Sequence, residues 1–137
     1  MDSAYSRFTL YEGLAGRGGR GYFSETISEE CFFVSHHAYA TICIARTPSG
    51  YYSSSSATLH DCGFCSPVTN DNYPVSTETK ARIDAISETL VRIAGYTKRG
   101  HRLTSAERKL IDLLNTQICA RQIEPFPERV QLSLFNF

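Results

Sequence analysis

The sequence predicts an α+β domain: a small antiparallel β-sheet over residues 5–66, then a two-helix hairpin and an extended C-terminal tail. Three observations predict it. Residues 38–45 alternate apolar and polar side chains with the period of two that a half-buried strand requires. Residues 83–94 and 110–118 repeat apolar side chains at helical spacing instead. Between these regions, residues 61–75 gather the turn formers Gly63, Pro67, Asn70, Asp71, Asn72 and Pro74. At 137 residues the chain has the length of one domain, which we expect at 1–121, with 122–137 as spacer and tail.

In chain order, Phe8-Thr9-Leu10-Tyr11 reads as a weak strand, and Gly16-Arg17-Gly18-Gly19-Arg20-Gly21 as a flexible loop. Cys31-Phe32-Phe33-Val34 is a short apolar run. In the strand Ala38–Ala45, Ile42 and Ile44 share one face, and Tyr39, Thr41 and Cys43 the other. Thr47-Pro48-Ser49-Gly50 predicts a hairpin turn, because proline pre-sets φ and glycine suits the last position. Tyr51–His60 returns as the partner strand; its run Ser53–Ser56 has poor β propensity and is expected at a sheet edge. The first helix is capped by Ser76 or Thr77, whose hydroxyls accept from free backbone N–H groups. Its stripe is Ile83, Ile86, Leu90, Ile93 and Ala94, and Gly95 is the expected stop. The second helix opens at Thr104-Ser105-Ala106-Glu107, a capping box, and carries Leu110, Leu114 and Ile118, widened by Ile111 and Leu113. After Arg121, Pro125 and Pro127 favour an extended spacer. There is no internal repeat.

Composition narrows the function. Formal net charge is zero, so bulk charge predicts neither nucleic-acid nor membrane binding; either would need a local patch. No apolar run approaches the roughly 18 residues of a membrane span. The N-terminal Met1-Asp2-Ser3-Ala4-Tyr5 lacks the basic-then-apolar layout of a signal peptide, so the expected location is the cytoplasm. In that reducing compartment, Cys31, Cys43, Cys62, Cys65 and Cys119 are expected as thiols or metal ligands.

The tail carries the sharpest signal. Gln131-Leu132-Ser133-Leu134-Phe135 resembles the pentapeptide with which bacterial polymerases, repair proteins and plasmid initiators bind the β sliding clamp: glutamine, leucine, serine or aspartate, leucine, phenylalanine. All five positions match. The resemblance implies that Leu134 and Phe135 fill the deeper subsite of the clamp cleft, Leu132 the shallower one, and that Gln131 hydrogen-bonds at the entrance. The physics agrees, since a short peptide binds usefully only when large apolar anchors enter preformed pockets. The alternative is an edge strand in which Val130, Leu132 and Leu134 alternate.

Other constellations are weaker. Cys62 and Cys65 form a Cys-x-x-Cys knuckle, but Zn²⁺ wants four ligands and no second pair stands at an established spacing, so no metal or other cofactor is expected. Arg17 and Arg20 in the glycine loop are candidate phosphate contacts, without the ending of a Walker loop. Lys98, Arg99, His101, Arg102, Arg108 and Lys109 crowd the inter-helix connection, a candidate DNA-backbone contact. No nucleophile elbow, paired-carboxylate or metalloprotease spacing is present, so no enzyme is expected. Finally, Thr58-Leu59, Cys62-Gly63-Phe64, Ser66 and Thr79-Lys80-Ala81-Arg82-Ile83-Asp84 resemble small phage proteins of uncharacterised role. Those carry a strand ending Thr-Leu, a Gly-Gly-aromatic turn and a Thr-Thr-Lys-x-Arg-Ile-Asn helix start. This chain departs by placing Cys62 at the first glycine and inserting Asn70–Val75. The resemblance implies a phage or mobile-element origin. Together these readings lead us to expect a non-enzymatic clamp-binding protein that modulates or inhibits DNA replication. The rivals are a nucleic-acid- or nucleotide-binding module and a small zinc protein.

Overall fold

A computed structural model describes residues 5–10, 20–70 and 72–121. Its elements are β1 (Phe8–Leu10), β2 (Gly21–Phe23), β3 (Ser28–Ser35), β4 (Ala38–Thr47), β5 (Gly50–Thr58), β6 (Gly63–Phe64), α1 (Glu78–Lys98) and α2 (Ser105–Arg121). The fold is α+β. Among the described residues there are two sheets rather than one, a β1–β2 ribbon and an antiparallel meander in the order β3-β4-β5-β6.

β4 is the spine of the meander. It pairs with β3 from Ser28↔Ile44 to Ser35↔Ala38, and with β5 from Tyr39↔Thr58 to Thr47↔Gly50. The hairpin forms where the sequence predicts it: Thr47 Oγ1 accepts from Ser49 N–H and donates to the Gly50 carbonyl. The alternation along β4 settles the faces. Ala38, Ala40, Ile42 and Ile44 are almost wholly buried, and Ala38, Ala40 and Ile42 join the main core. Cys43, of the opposite set, borders a second cluster made by Phe23, Ala45 and Val68. The serine run lies at an edge over most of its length, because β6 reaches only Ala57 and Thr58.

The helices lie on the first face, α1 over β4 and β5, α2 over β3 and β4. Ile86, Leu90, Ile93, Leu110, Leu114 and Ile118 are each 1% exposed or less. Full burial of one such side chain stabilises by about 1.5–3 kcal/mol, so the two stripes account for much of the core. Thr77 caps α1, accepting from Lys80 N–H at 3.1 Å. Arg82 ties α1 to the sheet through Glu30 and Ser28, and to its own first turn through Glu78.

The expected stop at Gly95 is corrected: α1 runs on to Lys98. Tyr96 packs against the core and donates its hydroxyl to the Gly63 carbonyl at 3.0 Å, and this outweighs the roughly 1 kcal/mol cost of a mid-helix glycine. The chain leaves the helix at Gly100 instead, whose φ of +103° is open to glycine and strained for other residues. The long turn-rich segment also holds more structure than expected. β6 interrupts it, Thr69 bridges to Tyr22, and Val75 exchanges both backbone bonds with Tyr51. No helix among the described residues is long and apolar enough to cross a membrane.

Candidate functional site

Only part of the sequence-predicted site set falls within the described residues. Arg17 and the pentapeptide Gln131, Leu132, Ser133, Leu134 and Phe135 lie outside them. Arg20 stands at the start of β2, whose Phe23 belongs to the second cluster, away from the helix layer. Lys98, Arg99, Arg102 and Lys109 are exposed around the α1–α2 connection, with Arg108 beside them. Arg99 is the C-cap of α1 and its guanidinium stacks 5.2 Å from the Tyr96 ring centroid. The exposed cations thus flank the α1–α2 connection, whereas Arg20 precedes β2 in the ribbon.

The Cys62/Cys65 knuckle is not brought together. The two residues flank β6, and positions three apart on an extended segment point to opposite faces. Cys62 turns to the helix side, against the main core. Cys65 is exposed and lies toward Cys43 on the other side, where burial first, then the charges of Glu29 and Cys65, push the Cys43 thiol up. Among the described residues no group of three His, Cys, Asp or Glu side chains is arranged to hold a metal.

On the helix side Cys62 meets residues that sequence reading assigned elsewhere. Glu107 is the third residue of α2 and completes the expected capping box: Thr104 N–H donates to its Oε1 at 2.7 Å, and Glu107 N–H donates to Thr104 Oγ1 at 3.1 Å. Its other oxygen does more. Oε2 accepts from His60 N–H at 3.0 Å and lies 2.9 Å from His101 Nε2. The carboxylate is wholly buried. Burial by itself raises a carboxyl pKa, but here the bonds from Thr104, His101 and His60 outweigh it and hold Glu107 below the ordinary carboxylate range.

An ionised carboxylate only accepts, so His101 Nε2 carries a proton and Nδ1 faces the other way. Opposite Nδ1, at 3.9 Å, is Cys62 Sγ. The turn that puts it there closes with Leu59 N–H donating to the Cys62 carbonyl, and passes through Asp61 at φ +67°. Aspartate is one of the few non-glycine residues that enters this region readily. Gly63 is required next, since a Cβ on it would sit 2.5 Å from the Ala57 carbonyl oxygen. Burial, then the charges of Glu107 and Asp61, push the Cys62 thiol up, and the Arg99 charge works against them.

A separate cavity of about 530 Å³ opens beside the outer edge of β5, between Ser66–Val75 and the α1 residues Asp84, Glu88 and Arg92. Arg92 is engaged there, bonded to Glu88 at 2.9 Å and stacked on Phe64. Its lining contains none of the candidate clamp, phosphate or metal residues read from the sequence.

Comparison with protein families, with curated proteins and with solved structures returns no match for this chain.

Proposed function

We propose that this protein binds the bacterial β sliding clamp through Gln131–Phe135, and that it is a phage or mobile-element protein that modulates or inhibits DNA replication. The observation that carries the reading is the five-position match of the pentapeptide, placed behind a spacer containing Pro125 and Pro127. Two features support it. Among the described residues, both hydrophobic clusters are built from positions between Phe23 and Ile118. Helix α2 ends at Arg121, with nine residues between it and Gln131, where the motif begins.

Occupying the clamp cleft competes with every host protein that uses the same peptide, so inhibition follows from binding alone. Affinity is modest, because a peptide that orders on binding loses conformational entropy. Recruitment to DNA would draw on Lys98, Arg99, Arg102 and Lys109, since phosphate contacts give position without reading sequence.

Calorimetric titration of purified clamp with the wild type and with a Leu134→Ala, Phe135→Ala double variant tests the reading. We expect binding by the first and near-complete loss by the second, with identical circular dichroism. Equal binding by both would overturn it.

The clustering of exposed cations at the helix connection favours one second reading, a nucleic-acid-binding module. In that case DNA affinity would fall with salt and with neutralisation of Lys98 and Arg102, while removal of 131–137 would leave it unchanged.

A further inference from the structure

We propose that Cys62 is a base-assisted nucleophile for an activated acyl group, with His101 as its base, Glu107 as the residue that positions the imidazole, and Arg99 as the cation beside the reacting carbonyl. The proposal is independent of clamp docking.

Nucleophilic thiol chemistry needs a sulfur, a base within reach, and a third group that orients the base. All three are present in one chain of contacts: Cys62 Sγ, then His101 Nδ1 at 3.9 Å, then His101 Nε2 and Glu107 Oε2 at 2.9 Å. The orienting group is fixed from three elements. Glu107 belongs to α2, the N–H of His60 reaches it from the β5–β6 turn, and the N–H of Thr104 caps the helix start. Such a carboxylate has no freedom to turn away. It holds Nε2 as a protonated nitrogen and so sets Nδ1 on the side of the sulfur.

The buried setting makes Cys62 rest as a thiol, so deprotonation is coupled to attack. As Sγ bonds to the acyl carbon, its proton passes to His101 Nδ1 and the carbonyl π pair moves onto oxygen. Arg99, the C-cap of α1 two residues before His101, supplies the cation for that oxyanion. Collapse re-forms the carbonyl and breaks the bond to the leaving alkoxide or phenoxide, which takes the proton from His101. The product is a thioester on Cys62. The other charged groups near this turn are His60 and Asp61, 3.3 Å apart and turned to solvent.

The competing reading is that the same contacts only staple the β5–β6 turn to α2. The two differ in what they predict for five thiols in one chain. Cys31, Cys65 and Cys119 are exposed, whereas Cys62 is half-buried. Accessibility alone therefore makes Cys62 slower than these three.

The test is acetylation of the full chain by p-nitrophenyl acetate, followed by mass spectrometry of each cysteine peptide. We expect Cys62 to acetylate first, with release of one nitrophenolate per chain, and the burst to vanish in Cys62→Ala. His101→Gln should slow Cys62 at least tenfold, since positioned acid–base groups contribute about 10²–10⁴-fold. It should also leave a rate rising with hydroxide alone, where the wild type reaches a plateau. Arg99→Gln, on the surface, should slow the burst without changing thermal unfolding. Acetylation of Cys31, Cys65 or Cys119 ahead of Cys62 in the wild type overturns the proposal. That comparison decides the matter even if His101→Gln does not fold.

Discussion

Glu107 shows how one side chain joins local and long-range structure. As a capping-box residue it was legible in the sequence, because the box is a spacing rule written within four residues. Its bonds to His60 and His101 were not, since they join segments 47 and 6 residues apart through a turn whose path depends on Asp61. Glu107→Ala would leave the N–H groups of Thr104 and His60 without their acceptor inside the protein. We predict a loss of about 3 kcal/mol in urea titration, against about 1 kcal/mol for Thr104→Ala, which removes one cap bond. The pH dependence has a definite sign. The folded carboxyl lies below its ordinary value, so the unfolded chain takes up this proton first as the pH falls. The stabilisation is complete above the range in which an unfolded glutamate titrates, about pH 4.3, and is lost as the pH falls through that range toward the folded value. Stability curves for the wild type and Glu107→Gln should converge on acidification. Parallel curves would contradict this account.

At the scale of elements, periodicity located what was long and repetitive. The stripes on α1 and α2 and the alternation on β4 were legible because each repeats one face several times. β6 was not, since two residues carry no period and its pairing with Ala57 and Thr58 is set by the turn before it. The end of α1 was misread for a related reason. Gly95 is a local stop signal, whereas the packing of Tyr96 that overrides it is tertiary. The two glycines should therefore respond oppositely to alanine. At Gly95 an added Cβ meets nothing nearer than Arg99 Nη2 at 3.7 Å, an ordinary contact. Gly95→Ala should raise stability by about 0.5–1 kcal/mol. At Gly100, φ of +103° penalises any Cβ although space is open, and Gly100→Ala should cost about 1 kcal/mol. Matching shifts for both variants in thermal unfolding would show that the helix does end at Gly95.

At the scale of the whole molecule, the described part of the meander packs with its two helices around a core that runs from Phe32 to Ile118, with the β1–β2 ribbon closing a second cluster on the other face. Fold class was legible because strand-period and helix-period segments occupy separate stretches of the chain. The cysteine–histidine–glutamate contact was not, because no spacing rule links Cys62 to His101 across 39 residues. If the tail is a free docking peptide, a chain cut after Arg121 should unfold with the same cooperative midpoint as the full chain, while losing clamp binding. The clamp reading itself rests on one cleft and one peptide. The measurement that bears on it most directly is competition: a fluorescent peptide copying Arg129–Phe137 is bound to purified clamp, and the unlabelled full-length protein is titrated in. Displacement to completion, with no displacement by the chain cut after Arg121, is the predicted result. A fluorescent peptide that stays bound at saturating protein, or is displaced equally by the shortened chain, contradicts it.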